Sequence, residues 1–264
     1  FQLNLPFDSE RAQEISARIQ EEIYYAALET SCEMAQKFGA HSNFGITRAA
    51  EGILQFDTWG VTPTNPEKWN ALKEQIKKHG LRNSLVIAIA PTATIATITG
   101  VFECIEPQVS NLFKRETLSG DFLQVNRYLI NRLKELGLWS QDMRDKIKIA
   151  DGSVQSIEEI PEDVRKIFRT VWELPQRALI DMAADRSPYI DQSQSLNLFM
   201  ATPTIGRLSS MYLYAWKRGI KTTYYLRSRP ATSIAKTTVD TKKYSDDQAV
   251  ACSLENPEIC DACQ

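Results

Sequence analysis

The sequence closes on Cys260-Asp261-Ala262-Cys263-Gln264, which sets two thiols three positions apart. A lone CxxC has two common uses, as half of a zinc site or as a dithiol/disulfide couple. Zinc needs four ligands; there is no second CxxC, and the only histidines, His41 and His79, belong to a distant segment. A thioredoxin-type site needs a strand before the motif and a helix after it, yet one residue follows Cys263. A dithiol on a mobile arm fits this position, able to visit a buried site and then an external reductant. A zinc half-site and an unused tail stay open beside it. A second candidate is Pro91-Thr92-Ala93-Thr94, leading into Ile95. N–H groups at a helix start, with hydroxyls beside them, form a small anion site; the plain alternative is a threonine-capped turn. The third is Tyr224-Tyr225. Neighbouring phenols can hand an electron hole along, each releasing an electron and a proton together, but adjacent strand residues ordinarily point to opposite faces as packing aromatics. Cys32 reads as a small buried hydrophobe. Cys104 lies between Glu103 and Glu106, acidic neighbours that would raise a thiol pKa and argue against a reactive thiolate.

The elements that must hold these residues follow from period and punctuation. Asp8 or Ser9 can cap a long helix with Ile15, Ile19 and Ile23 on one face and a stop at Gly39. Asn65-Pro66 opens a second helix through Trp69, Leu72 and Ile76, which ends at His79-Gly80. Ser84–Ala90 is short, β-branched and apolar, and predicts a strand buried on both faces. Further strands are expected at Asn111–Thr117, Ser195–Met200 and Lys221–Leu226. Helices are expected at Phe122–Leu136, at Asp163–Ala184 with a kink at Pro175, and at Ile205–Gly219. Strands alternating with helices predict an α/β layered or barrel arrangement. Residues 1–230 carry this pattern. Residues 231–264 are polar and aperiodic and predict a flexible tail.

Composition bounds the partners. With 31 basic and 33 acidic residues interspersed among 264, no basic stripe points to nucleic acid. No apolar run approaches the ~20 residues of a membrane span. Five cysteines, three of them in the last thirteen residues, make no disulfide framework, and an intracellular, cytoplasmic setting is expected. The opening FQLNLPFDSERAQE has no secretory character and no initiating Met, so Phe1 reads as a point inside a longer protein.

Several strings together resemble one family, the large subunit of class I ribonucleotide reductase in its eukaryote-like branch. They are RNSLVIAIAPTATIATITG (82–100), IEP (105–107), YIDQSQSLNLF (189–199), YAWKRGIKTTYYLRSRP (214–230) and ACSLENPEICDACQ (251–264), joined by EEIYYAALETSCEMA (21–35) and GILQFDTWGVTPT (52–64). The resemblance implies the C-terminal half of a ten-stranded α/β barrel with a redox tail. It also implies reduction of ribonucleoside diphosphates to deoxyribonucleoside diphosphates. Pro91, Thr92, Ala93, Thr94 and Ile95 then fall on the loop that holds the substrate diphosphate; Ile95 departs from the usual Ser or Thr, which removes a hydroxyl there. Tyr224 and Tyr225 fall on a radical-relay pair, and Cys260 and Cys263 on the tail dithiol that re-reduces the active-site disulfide.

The implied partners are a small radical-generating subunit holding a dinuclear metal, a second large subunit, and thioredoxin or glutaredoxin. No cofactor is expected on this chain itself, and ATP and dNTP effector sites are expected upstream. The thiyl-forming cysteine, its redox partners and the Asn and Glu that assist proton transfer are likewise expected before Phe1. Two rivals remain at this level: a cobalamin-dependent reductase, which has no use for a tyrosine relay, and a non-catalytic α/β interaction module with a redox- or metal-sensing tail.

Overall fold

Ser9 starts the first helix, α1 (Glu10–Phe38), by accepting the Ala12 N–H at 3.2 Å, and Gly39 closes it with a left-handed φ of 81°. The computed structural model describes residues 1–117 and 120–229; the predicted 231–264 tail lies outside the described residues. The face of α1 that reaches the core is Tyr24, Leu28, Cys32 and Ala35, whereas Ile19 and Ile23 are half exposed. Both stripes have helical spacing. The aromatic surface of Phe56 and Trp69 covers the Tyr24–Cys32 stripe, so the expected isoleucine face instead lines an apolar groove of about 560 Å³. A short helix α2 (Gln55–Thr58) supplies Phe56, and α3 (Pro66–His79) supplies Trp69. Asn65 accepts the Lys68 N–H at 3.0 Å, and Pro66 occupies the first helical position, as the sequence predicts. Glu21 is buried here but satisfied, accepting from Trp69 Nε1, Thr64 N and Thr64 Oγ1 at 3.0, 2.8 and 2.7 Å.

Beyond a seven-residue helix, α4 (Ala93–Thr99), the chain departs from the period reading in two places. Phe122–Val125 is not helical: it belongs to strand β2 (Gly120–Val125), paired antiparallel with β1 (Leu112–Thr117), with Leu112 opposite Val125. Helix α5 (Arg127–Glu135) starts only after Asn126, whose side chain accepts the Tyr128 N–H at 3.1 Å. The second departure is at Asp163–Ala184, which is two helices rather than one kinked one. They are α7 (Glu162–Ile167) and α8 (Gln176–Arg186), following α6 (Gln141–Ile149), which the pattern reading missed. Pro175 forces Leu174 into extended backbone. Asn111 Nδ2 donates to the Phe168 carbonyl at 2.8 Å, so the end of α7 is satisfied without continuing the helix. Leu129, Leu133, Ile160, Val164 and Phe168, all fully buried, form the core of this region.

Three extended segments run parallel. Ile89 bridges Gln194, with Ile89 N–H donating to Ser193 O at 3.0 Å and Ser195 N–H to Ile89 O at 2.8 Å. Strand β3 (Leu198–Phe199) pairs in parallel with β4 (Leu226–Arg227), and α9 (Ile205–Lys217), capped by Thr204, makes the crossover between them. The segment order is therefore 84–90, 192–200, 221–227. The Asp191 carboxylate fastens the first two, accepting the Val86 and Ile87 N–H groups at 2.9 and 2.8 Å. The expectation of a doubly buried Ser84–Ala90 strand fails: Ser84, Leu85, Ala88 and Ala90 are exposed. Its ladder is made on one edge among the described residues, and helices cover only part of it. The sheet is open.

Helix α9 ends at Lys217, two residues short of the predicted stop, and Gly219 turns the chain at φ 80°. A Cβ there would stand 2.8 Å from the Trp59 ring. Gly219→Ala in the full chain is expected to cost about 1–3 kcal/mol; an unchanged denaturation midpoint would contradict this. No helix among the described residues is long and apolar enough to cross a membrane, and no cluster of three metal-ligating side chains occurs among them.

Candidate functional site

Tyr224 and Tyr225 do not diverge as strand neighbours should. Their ring centroids lie 4.1 Å apart at an interplanar angle of 54°. The backbone supplies the reason. Tyr224 N–H donates to Leu196 O at 2.7 Å, and Tyr225 O accepts from Leu198 N–H at 2.8 Å. In a regular strand, consecutive residues turn their polar groups to opposite edges; here both turn toward the same neighbour, so the pleat is broken between the two tyrosines and the rings meet. About half of each side chain is exposed, and the Arg227 guanidinium lies 5.2 Å from the Tyr225 ring centre. The hydroxyl contact with Tyr225 raises the Tyr224 phenol above its ordinary pKa.

The Pro91–Ile95 turn is exposed and leads into α4. Thr92 Oγ1 donates to Glu103 O at 2.9 Å, and its N–H points to the same oxygen at 3.5 Å, which closes the base of the excursion. The Ile95 N–H donates to Thr92 O at 2.9 Å, so it is engaged within the turn. The Ala93 and Thr94 N–H groups, in the first helical turn, have no partner inside the helix, and the Thr94 side chain is exposed beside them. The donors for an anion are thus concentrated at Ala93 and Thr94.

The parallel registers bring turn and tyrosines to the same end. Ile89 is level with Gln194, so two residues on Pro91 leaves the sheet level with Leu196, the residue whose carbonyl holds Tyr224. Two strand spacings, about 10 Å, separate these segments. Sequence reasoning missed the residue between them. Glu106 is buried and accepts the Asn197 N–H at 2.8 Å and Asn197 Nδ2 at 3.3 Å. Neither cysteine among the described residues is activated: burial first, then Glu106 and Glu103, pushes Cys104 up to about 12, and burial raises Cys32. Cys260 and Cys263 lie outside the described residues.

Against known proteins, residues 1–226 match the family model described as ribonucleotide reductase, barrel domain. The chain belongs to the ribonucleotide reductase barrel-domain family. The chain is 43% identical over its whole length to the ribonucleoside-diphosphate reductase large chain of Schizosaccharomyces pombe, covering 37% of that protein. It is 50% identical to the large subunit of Dictyostelium discoideum, with 90% of this chain aligned to 28% of the relative. The class Id ribonucleotide reductase alpha subunit of Actinobacillus ureae superposes with a TM-score of 0.65 at 30% identity, over 87% of this chain and 36% of that one. The chain therefore spans roughly a third of these relatives. Within this reductase barrel-domain chain, the tyrosine pair and the threonine turn lie in the matched region, whereas Cys260 and Cys263 follow it.

Proposed function

We propose that this chain is the C-terminal part of the large, catalytic subunit of a ribonucleoside-diphosphate reductase, and that the complete subunit reduces ribonucleoside diphosphates to deoxyribonucleoside diphosphates. The observation that carries the reading is the tyrosine contact, 4.1 Å between ring centres, at the sheet end where the threonine turn begins. The three parallel segments are then a share of the ten-stranded barrel, and their open edges are where the remaining strands pair. Thr92, Ala93 and Thr94 grip the diphosphate, with Thr94 as the main hydroxyl donor.

The tyrosines act in sequence. One phenol yields an electron and its proton to the arriving oxidant and is refilled from its neighbour, so the hole advances one residue and each phenol is restored. The hole ends on a cysteine thiol beside the ribose, which becomes a thiyl radical and abstracts the C3′ hydrogen. Loss of the 2′-hydroxyl as water then consumes two electrons from a thiol pair, which closes to a disulfide, and the hydrogen atom is returned to C3′. Cys260 and Cys263 reopen that disulfide by thiol–disulfide exchange and are reduced in turn by thioredoxin or glutaredoxin. A dinuclear metal centre in the small subunit supplies the first oxidant. ATP and dNTP effectors act at sites elsewhere on the large subunit, which works as a dimer in the cytoplasm. The adjacent phenols favour this reading over a cobalamin-dependent reductase, and a diphosphate grip separates it from a plain interaction module.

Thr94→Val in the complete subunit tests the grip. It is expected to raise the substrate KM about tenfold, from loss of ~1.4 kcal/mol of binding, with kcat nearly unchanged. An unchanged KM would count against phosphate contact at this residue.

A further inference from the structure

Asn197 occupies an unusual position in the sheet. Its neighbours Leu196 and Leu198 make the two backbone bonds that hold the tyrosine pair, on one edge of the central segment. Its own N–H faces the opposite edge, in step with Ser195, whose N–H is taken by Ile89. At Asn197 the first segment has already turned away at Pro91, and a buried N–H without a partner is destabilising. Glu106 fills that vacated place. It is the far end of the same excursion that begins at Pro91, runs through the threonine turn and α4, and is closed at its base by Thr92 and Glu103. Both carboxylate oxygens are used on Asn197, and the buried Arg186 guanidinium provides an opposing charge. One residue thus ties the excursion carrying the turn to the strand that holds the relay.

The geometry points to Glu106 as a positioning residue that sets the tyrosine pair relative to the substrate turn, acting through Asn197. This rests on the relay reading of Tyr224 and Tyr225. It assigns no contact between Glu106 and substrate: the carboxylate acts by fixing the strand on which the pleat breaks.

The test uses the complete subunit with its radical-generating partner and carries 3-aminotyrosine, a more easily oxidised phenol, in place of Tyr225. Cytidine diphosphate is added as substrate, and the radical formed at position 225 is quantified by electron paramagnetic resonance. Glu106→Gln places a donor amide against the Asn197 donors and is expected to lower the radical yield about tenfold, equivalent to ~1.4 kcal/mol, with the diphosphate Kd nearly unchanged. Asn197→Ala keeps the backbone bond, removes the side-chain one, and is expected to give a smaller fall; it decides the matter if Glu106→Gln does not fold. Asp191→Asn loosens the same segments at their other end and is expected to leave the yield intact. An undiminished yield in the folded Glu106 or Asn197 variant overturns the proposal, as does an equal fall in Asp191→Asn, which would mean general loosening. If no radical forms at position 225 with Glu106 present, the relay reading itself fails, which is a separate result.

Discussion

Tyr224→Phe or Tyr225→Phe in the complete subunit is expected to abolish turnover while leaving nucleotide affinity nearly intact. Phenylalanine keeps the ring and removes the hydroxyl. Both tyrosines are half exposed and neither belongs to a core cluster, so loss of the hydroxyl should cost little folding stability. What it removes is the proton that, in the proposed relay, would leave with the electron. The contact with Tyr225 raises the Tyr224 phenol above its ordinary value near 10, so Tyr224 stays protonated throughout the neutral range. In the proposed relay the hole would therefore move as coupled electron and proton transfer rather than through a phenolate, and ionisation of Tyr224 should produce no change in turnover between about pH 6 and 9. Steady-state turnover and equilibrium binding of the diphosphate, measured side by side, separate the two effects. Normal turnover in both variants would remove the relay role; an equal loss of binding would point instead to a structural role.

What could be read from the sequence was whatever a few neighbouring residues decide. Ser9 before α1 and Asn65-Pro66 before α3 are local caps whose acceptors lie within three residues of the donors they satisfy, and both starts appear where the sequence places them. Elements that depend on distant partners were read less well. Phe122–Val125 is helical by pattern but becomes a strand because Leu112–Thr117 lies beside it, and pairing outweighs a weak local preference. The apolar character of Ser84–Ala90 overstates its burial because it says nothing about whether other elements cover both faces.

The candidate site divides in the same way. Residue types at Thr92, Thr94, Tyr224 and Tyr225 are visible in the sequence. That the two rings meet depends on a broken pleat, which is set by where Leu196 and Leu198 make their bonds. The role of Glu106 could not be found because its partner is 91 residues away; the sequence showed it as an acidic neighbour of Cys104 and as part of one resembling string. The motif IEP was visible as a string but not as an anchor.

Cys260→Ser is expected to stop multiple turnover driven by thioredoxin while leaving turnover with a small dithiol such as dithiothreitol. The reasoning starts from chemistry rather than position. Exchange requires a thiolate to attack a disulfide sulfur, and a serine hydroxyl cannot do so. In the proposed complete barrel a protein reductant would be too large to reach an enclosed disulfide and would depend on the terminal dithiol as carrier, whereas dithiothreitol would diffuse in without one. Cys263→Ser should behave alike, because in the proposed shuttle the two thiols would end as a closed disulfide for thioredoxin to reopen. The two cysteines of the barrel region serve as controls. Cys32 is buried in the core, and burial and two carboxylates push the Cys104 thiol up to about 12, so at neutral pH neither supplies the thiolate that could stand in for the tail. Replacing either by alanine should therefore leave the contrast between the two reductants unchanged. Turnover measured with each reductant decides the point: if Cys260→Ser loses activity equally with thioredoxin and with dithiothreitol, the tail is not a shuttle, and the terminal CxxC must act at some other step.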